Sequence, residues 1–327
     1  MTVLAVSERE VRELLAMRDC IEVMQHTFAS LSAYGSVQPP RIVAWQPDKR
    51  GAIAAMPAWL GKPVTLGAKL ISVFPQNRQA GVESHQGFVV LFDSEHGVPR
   101  AIVHAGAVTE IRTAAVSAVA TRLLANEDAS HLAILGSGVQ AHAHLHAMRE
   151  VRPIRRVRVW SRTPEHAQAF ARETHDQHGL HVTAASTARD AVEDADIICT
   201  VTAATSPVLE GSWLKAGQHI NAVGSSVPPF RELDTDAVAR ARVVVDSYES
   251  ARNEPDDLRI PLREGAITQE HILADLAELT SGVRAVRNST EDITLFKSVG
   301  IAIEDLAAAH AIYERAVREG RGTQIDF

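Results

Sequence analysis

Residues 131–145, HLAILGSGVQAHAHL, decide the fold of this chain. A short apolar run enters Gly136, Ser137 and Gly138, and a stretch of small residues and histidines follows at once. A strand that runs into two glycines and opens a helix is typical of a loop that binds a dinucleotide pyrophosphate. Gly136 permits the tight turn, Gly138 lets the backbone approach a phosphate, and Ala141 allows close helix–strand packing. The amino terminus of the helix also offers N–H groups and a positive dipole end.

The sequence after this loop alternates between strand and helix patterns. Strands are predicted at RRVRVWSR, HVTAAS, DIICTVT, QHINAVG and ARVVVDS. Helical patterns separate the first three of these strands, and only helices are predicted after residue 268. Such alternation implies crossover connections and a parallel sheet that is covered on both faces. We therefore predict an α/β chain with a Rossmann-type doubly wound parallel sheet.

The first part of the chain has a different pattern. Amphipathic helices are predicted over residues 7–34, and short apolar runs broken by Gly, Pro and Asp over 40–105 indicate a largely antiparallel sheet. An Ala-rich helix follows at about 109–126. We predict an α+β domain over residues 1–118 and a dinucleotide-binding domain over 119–300, with a C-terminal helix in 301–327 packing back on the first domain.

Composition excludes several classes of protein. The 327 residues are 46% hydrophobic and carry a net charge of -7, which gives no support to a nucleic-acid or anionic-membrane partner. No apolar run approaches the roughly 20 residues that span a bilayer, and the N-terminus becomes charged too early for a signal peptide. Cys20 and Cys199 fit no metal-binding spacing and are expected to be reduced core thiols, which suits the cytoplasm.

The end of the second strand of the Rossmann pattern favours NADP(H) over NAD(H). An NAD-binding domain usually carries an Asp or Glu there for the ribose 2′-hydroxyl. This strand instead ends in Ser161, Arg162 and Thr163, and a guanidinium beside two hydroxyls suits a 2′-phosphate. A solvated arginine after a strand is the alternative, so NAD(H) stays possible. S-adenosylmethionine enzymes generally need an acid at this position and are disfavoured.

The histidines after the glycine loop also match part of a metal-site pattern. His142 and His146 are four residues apart and share a helical face. Two such ligands need at least one more, and no Glu stands between them in the metalloprotease arrangement. We interpret them as part of a polar helix surface and predict no metal.

Three basic residues in the first part stand in apolar or small-residue surroundings: Arg41 in QPPRIVAW, Lys69 in LGAKLISVF and Arg112 in TEIRTAAVS. A lysine within an apolar strand must emerge at an edge, be paired, or face a site. Arg112 and Thr113 are predicted in the first turn of a helix, where the dipole disfavours a cation unless it meets an anion. Each cation alone could be structural, but together with a dinucleotide domain they indicate a pocket for a small carboxylate.

With these residues identified, the chain resembles the ornithine cyclodeaminase/mu-crystallin family over almost its whole length. The landmarks are PPR at 39–41, GAKLISVFPQN at 67–77, SHQGFVVLFD at 84–93, EIRTAAVSAVAT at 110–121, ILGSGVQA at 134–141, NAVGSSVPPFRELD at 221–234 and TLFKSVGIAIEDL at 294–306. SHQ and WSRT are most similar to the NADPH-dependent ketimine reductases of this family.

The resemblance implies a two-domain subunit that forms a homodimer through its N-terminal domain, with the Rossmann domain closing over the active site. It assigns the substrate carboxylate to Arg41, Lys69 and Arg112, and we predict that these three are the catalytic residues. The implied cofactor contacts are Ser84, His85, Arg112, Thr113, Gly136, Ser137, Gly138, Val139, Gln140, Ser161, Arg162, Thr163, Thr200, Val201, Thr202, Ala203, Val223 and Ser298.

One departure from the family pattern bears on the reaction. Cyclodeaminases and related alanine dehydrogenases carry an Asp two residues after the glycine of VG, and Ser226 stands at this position. A serine cannot serve as a carboxylate base near neutral pH, whereas reduction of a pre-formed imine does not require one. We therefore predict NAD(P)H-dependent reduction of a small 2-imino acid to the L-amino acid. The imine would be cyclic, such as Δ1-pyrroline-2-carboxylate or Δ1-piperideine-2-carboxylate, or open-chain.

Two alternatives remain at this point. The first is an amino-acid dehydrogenase or ornithine cyclodeaminase that uses another acid, Glu254 or Asp257, although that segment also reads as an exposed acidic turn. The second is a non-catalytic ligand-binding protein similar to mu-crystallin. Retention of Lys69 argues against it, because a pure binding protein has less need of a buried amine.

Overall fold

The computed structural model describes residues 2–74, 76–77, 81–178, 180–253 and 255–326. The chain divides into two compact units with boundaries at 112/113 and 300/301. The segment from Ile301 onward belongs with the residues up to Arg112, and Thr113–Gly300 forms the second unit.

Up to the first unit boundary the elements are β1 (Thr2–Val6), α1 (Glu8–Leu14), α2 (Met17–Tyr34), β2 (Ser36–Val37), β3 (Ile42–Trp45), β4 (Ala52–Gly61), β5 (Val64–Val73), β6 (His85–Phe92), β7 (Pro99–His104) and α3 (Ala105–Leu124), which runs across the boundary. The following elements are β8 (His131–Leu135), α4 (Val139–Val151), β9 (Arg156–Trp160), α5 (Pro164–His178), β10 (Val182–Ala184), α6 (Ala188–Val192), β11 (Ile197–Thr200), β12 (His219–Ala222), α7 (Thr235–Arg240), β13 (Arg242–Val245), α8 (Tyr248–Asn253), α9 (Asp256–Arg263), β14 (Ile272–Asp275), α10 (Leu276–Thr280), β15 (Thr294–Lys297), α11 (Ala302–Glu319) and β16 (Thr323–Asp326).

The first unit is a sheet with helices on one face. Its strand order is β16-β1-β7-β6-β5-β4-β2, with β3 also paired to β4, and β4 to β7 form the predicted antiparallel meander. Burial alternates along β4 and β5, as expected when a sheet covers its core on one face only. Helix α11 packs on β4, β5 and β6 and against α2. Residues on α11 can therefore meet the buried face of β5.

The second unit is a parallel sheet of order β10-β9-β8-β11-β12-β15-β13-β14. The strand order runs one way from β8 to β10 and the other way from β8 to β12. This reversal is the topological switch point of a doubly wound fold, outside which ligands bind at the carboxyl ends of the strands. The α/β fold class and the Rossmann-type sheet predicted from the sequence are confirmed.

Two details of the predicted elements are wrong. Strands β14, β15 and β16 lie after residue 268, where only helices were predicted, because each is four residues long and carries little hydrophobic pattern. Helix α3 begins at Ala105 rather than near Thr109, so Arg112 lies in its third turn and not in its first. Burial of Ala105, Ala107 and Val108 outweighs the poor helix propensity of Gly106.

Cys20 and Cys199 are buried and form no disulfide. Among the described helices, none is both long and apolar enough to cross a bilayer.

Candidate active site

Two buried cations of the first unit share one buried carboxylate. Lys69 lies on the buried face of β5, and its Nζ donates to Asp305 Oδ1 of α11 at 3.1 Å. Arg112 of α3 donates from Nε to the same oxygen at 2.9 Å and from Nη1 to Glu304. The four side chains are at most 5% exposed. Full burial of these charges is tolerable only because each is paired.

Burial sets the proton affinity of Lys69. Desolvation lowers the pKa of its ammonium to about 8, the adjacent Asp305 carboxylate opposes this, and the positive charge of Arg112 adds to the lowering. A lysine with such a pKa is protonated at neutral pH and can release its proton readily. This is the property required of a general acid that works near neutral pH.

Arg41 belongs to the same electrostatic neighbourhood. It is half-buried directly before β3, and its positive charge contributes to the lowered pKa of Lys69. The structure therefore joins Lys69 and Arg112 through Asp305, and it places Arg41 near enough for its charge to act on Lys69. Glu304 and Asp305 are the partners that sequence reasoning missed. The pattern IAIEDLAAAH carried a signal, because apolar residues flank this acidic pair on both sides of the sequence.

The glycine loop of the second unit has the backbone expected of a phosphate-binding turn. Gly136 has φ +122°, and an added Cβ would lie 2.7 Å from the carbonyl oxygen of Val201. Gly138 is the N-cap of α4, and no side chain among the described residues caps that end of the helix. Ala141 is fully buried. An uncapped helix amino terminus behind a turn that requires glycine fits the pyrophosphate of a dinucleotide.

The ends of neighbouring strands join at this edge of the sheet. Backbone bonds run from Gly136 N to Trp160 O at 2.8 Å, from Val201 N to Leu135 O at 2.9 Å, from Val223 N to Thr200 O at 2.9 Å and from Ser298 N to Ala222 O at 3.0 Å. Most of the predicted cofactor residues therefore lie at one edge: Gly136, Ser137, Gly138, Val139, Gln140, Ser161, Arg162, Thr163, Thr200, Val201, Thr202, Ala203, Val223 and Ser298. Arg162, the second residue after β9, is exposed.

Four predicted cofactor residues lie elsewhere in the chain. Ser84 and His85 are in the first unit at the start of β6, where Ser84 Oγ and His85 Nδ1 are 3.0 Å apart. Arg112 belongs to the first unit and is held by Asp305, as described above. Thr113, the next residue of α3, opens the second unit and is 8% exposed.

The acidic residues considered as a replacement for the family Asp are not equivalent. Ser226 itself is half-buried. The interpretation of Asp257 as part of an exposed acidic turn is wrong, because its carboxylate is fully buried. Its Oδ1 accepts from the backbone N–H of Glu232 at 2.8 Å, and its Oδ2 accepts from Lys297 at 3.0 Å. Glu254 lies outside the described residues.

The histidines of α4 differ in environment. His142 and His146 are partly exposed and lie 3.7 Å and 3.8 Å from Glu173 and Glu150, as expected on a polar helix surface. His144 is fully buried, bonds to Gln140 O and Ser117 Oγ, and has a pKa that burial lowers to about 4. Within the described ranges, no group of three or more His, Cys, Asp or Glu is placed to hold a metal ion.

Comparison with known proteins adds to this geometry. The chain is 38% identical to a Δ1-pyrroline-2-carboxylate reductase of Bacillus cereus over 325 residues, 99% of this chain and 100% of the relative. It is 41% identical to the mouse (Mus musculus) ketimine reductase mu-crystallin over 280 residues, 86% of this chain and 85% of the relative. Among solved structures, the Thermococcus litoralis Δ1-pyrroline-2-carboxylate reductase in complex with NADH and L-proline superposes with a TM-score of 0.96 at 37% identity, covering 99% of this chain and 100% of that one.

These relatives are named for the reaction class predicted from the sequence. The family pattern described as the ornithine cyclodeaminase/mu-crystallin family matches residues 2–320. The resemblance seen in the sequence motifs is thereby confirmed. The chain belongs to the ornithine cyclodeaminase/mu-crystallin family.

Proposed function

We propose that this protein is an NAD(P)H-dependent reductase of small cyclic 2-imino acids, with Δ1-pyrroline-2-carboxylate as the first substrate to test and L-proline as its product. In the net reaction the imine carbon gains a hydride and the imine nitrogen gains a proton. The observation that carries the proposal is the buried cluster of Lys69, Arg112 and Asp305. The names of the relatives and of their bound ligands support the same reaction.

The charge of the first unit suits an anionic substrate. Arg41, Lys69 and Arg112 carry three positive charges, and Glu304 and Asp305 carry two negative ones. The excess of one positive charge favours a ligand with a single carboxylate. We assign Arg41 and Arg112 to the α-carboxylate, whose fixed position orients the C=N bond. The first unit is accordingly the substrate-binding unit.

Lys69 is the proposed acid. With a pKa of about 8 it holds a proton at neutral pH, and it lies beside both Arg112 and the carboxylate that orients its Nζ. Its Nζ donates a proton to the imine nitrogen, the resulting iminium carbon accepts the hydride, and Nζ regains a proton from water after turnover. The cationic surroundings stabilise the substrate carboxylate. No carboxylate base is needed in this direction, which agrees with Ser226 at the position of the family Asp.

The second unit is the proposed cofactor unit. Gly136 and Gly138 would hold the pyrophosphate against the amino terminus of α4. A reduced nicotinamide dinucleotide supplies the hydride when bound. We propose that NADPH is preferred to NADH. Arg162 follows β9 with a hydroxyl-bearing residue on either side, and the Asp or Glu that would bind the ribose 2′-hydroxyl of NADH is absent from this strand end.

We also propose that the protein is a homodimer that pairs through the first unit. Ile42, Val43 and Trp45 of β3 and Ile53 of β4 are exposed, and Ile53 pairs with Ala44 across the two strands. Each such side chain stabilises an interface by roughly 1.5–3 kcal/mol when fully buried. A second copy of the same surface is an occupant that would cover these apolar residues.

A steady-state assay tests the proposed reaction. Purified protein is mixed with Δ1-pyrroline-2-carboxylate or Δ1-piperideine-2-carboxylate and with NADPH or NADH, and loss of the reduced cofactor and formation of the L-amino acid are measured. Lys69→Met is expected to lower kcat/KM about a hundredfold or more, the usual contribution of a general acid. The matched control is Lys215→Met, a lysine exposed in the second unit. Absence of turnover with both imines, or release of ammonia from ornithine, would contradict the proposal.

A further inference from the structure

A buried carboxylate of the second unit joins two of the strand-end loops. Glu232 is fully buried. Its Oε2 accepts from Thr200 Oγ1 and from the backbone N–H of Gly224, both at 2.7 Å. Its Oε1 accepts from the backbone N–H and the hydroxyl of Thr202 at 2.6 and 2.8 Å. The segment after β11 and the segment after β12 are thus tied to a single side chain.

These four bonds match the full acceptor capacity of a carboxylate. An ionised Glu has two oxygens with about four lone-pair sites and no donor. Two of its four partners are backbone N–H groups, which cannot reverse their direction as a hydroxyl can. Burial and the nearby Asp257 carboxylate raise the pKa of Glu232 above its usual value, although the positive charge of Lys297 and the donors of Thr202 and Thr200 oppose that rise. The four donors that surround its two oxygens are nevertheless those that a charged acceptor requires.

The backbone leaves little freedom around this carboxylate. A Cβ added to Gly224 would lie 2.0 Å from the carbonyl oxygen of Thr202 and 2.6 Å from Glu232 Oε1. Glu232 is itself fixed, because its backbone N–H donates to the buried carboxylate of Asp257, which pairs with the buried Lys297. A hydrogen-bond network therefore runs from the buried Asp257–Lys297 ion pair through Glu232 to the loops after β11 and β12. None of these residues except Thr200 and Thr202 was among the predicted cofactor residues.

The strand order indicates which part of a dinucleotide these loops serve. The glycine loop follows β8, β9 lies on one side of it, and β11 and β12 lie on the other side. A dinucleotide binds across the switch point, with its pyrophosphate at the glycine loop and its adenosine ribose at the end of the next strand, here β9. The loops after β11 and β12 therefore face the nicotinamide half.

We propose that Glu232 is a positioning residue for the nicotinamide half of the cofactor: it fixes the loops at Thr202 and Gly224 against each other and so determines where the nicotinamide is held. This inference rests on the proposed function of the second unit. It assigns Glu232 no contact with the substrate and no proton transfer.

The test uses Glu232→Gln in the full chain. Whichever way the amide is turned, its NH₂ group faces either the N–H of Thr202 or that of Gly224, so one loop must move. We expect the Kd of the dinucleotide to rise about tenfold to a hundredfold, the usual cost of a lost charged hydrogen bond. The Kd of adenosine 2′,5′-bisphosphate, which lacks the nicotinamide half, should change less than about twofold, because the glycine loop and Arg162 are unaffected. Both values are measured by calorimetric titration, with 5′-AMP as the probe if the wild type binds only NADH.

The matched control is Asp196→Asn. Asp196 precedes β11 at the opposite edge of the sheet and accepts from the backbone N–H groups of Ser130 and His131, both at 2.8 Å. It should leave both Kd values unchanged. If Glu232→Gln does not fold, Thr200→Val serves as the test of the inference. The side chain of Thr200 is fully buried, and this substitution removes its hydroxyl, one of the donors to Glu232. Its dinucleotide Kd should rise about threefold or more with the bisphosphate Kd unchanged.

Two outcomes would overturn the inference: an unchanged dinucleotide Kd in these variants, or an equal loss of affinity for both probes, which a merely structural role predicts. A wild-type protein that binds neither NADPH nor NADH would instead contradict the proposed function.

Discussion

Replacing Asp305 with Asn tests how the buried cluster controls Lys69. The two charged groups are 3.1 Å apart. Their attraction is worth about 1.3 kcal/mol in a water-like dielectric and about 5 kcal/mol at an effective dielectric of about 20. Because about 1.4 kcal/mol corresponds to one pKa unit, loss of the carboxylate should move the pKa of Lys69 from about 8 to about 7 or below.

The assay is the pH dependence of kcat/KM for imine reduction, because this ratio reports the pKa values of the free enzyme. Lys69 can act as an acid only while it is charged, so the rate is full below its pKa and is lost as the pH rises through that value. In the wild type the loss is expected around pH 8. In Asp305→Asn it should occur at least about one pH unit lower.

A matched variant separates this effect from general damage to the first unit. Asp19 pairs with Arg315 at 2.9 Å, and both side chains are partly exposed. Asp19→Asn should leave the pH profile unchanged and lower the free energy of unfolding by less than about 1 kcal/mol. Asp305→Asn should lower it by about 3 kcal/mol, because a buried pair is broken. If the alkaline limb of Asp305→Asn coincides with that of the wild type, Asp305 does not set the pKa of the catalytic acid and our reasoning is refuted.

Three other substitutions test the cofactor loop and the dimer. Arg162→Ala should raise the KM for NADPH about tenfold to a hundredfold and the KM for NADH by less than about twofold; equal effects would contradict the proposed preference. Gly136→Ala should abolish dinucleotide binding in a fluorescence titration, because φ is +122° and the new Cβ would lie 2.7 Å from Val201 O; retained affinity would show that the loop can adapt. Ile53→Glu should convert the dimer to a monomer in light scattering, whereas Val283→Glu on the second unit, also an exposed position, should not; a dimer that survives Ile53→Glu pairs elsewhere.

Much of the second unit could be predicted because its chemistry is local. The glycine loop needs a strand, two flexible residues and a helix within a few positions, and the sequence displays all three around Gly136. Strand β15 could not be predicted in the same way. Its four residues end in Lys297, which reads as a surface residue, yet it is fully buried because Asp257, 40 positions earlier, neutralises it. A pairing over that separation leaves no periodic signal.

The candidate site shows the same limit. Lys69 was singled out because a lysine in an apolar strand needs a partner, but the sequence did not identify the partner. Glu304 and Asp305 lie in the first turn of α11, where the helix dipole stabilises acidic side chains. Their presence in the sequence is therefore ordinary for a helix start and does not indicate a buried ion pair. Glu232 was overlooked for a related reason, since FRELD reads as an ordinary polar loop. In each case the decisive fact is complete burial, which arises only from tertiary packing.

The pairing of Lys69 with Asp305 has a consequence for the order of assembly. The two residues are 236 positions apart, so β5 leaves the ribosome long before α11 has been synthesised. Thr113–Gly300 is complete by then. Because domains fold as units during synthesis, the second unit can form first, while the first unit waits for the segment that completes it. A nascent chain that stops before Glu304 would carry Lys69 and Arg112 in its core without either of their carboxylate partners. We expect such a chain to remain incompletely folded and to be degraded.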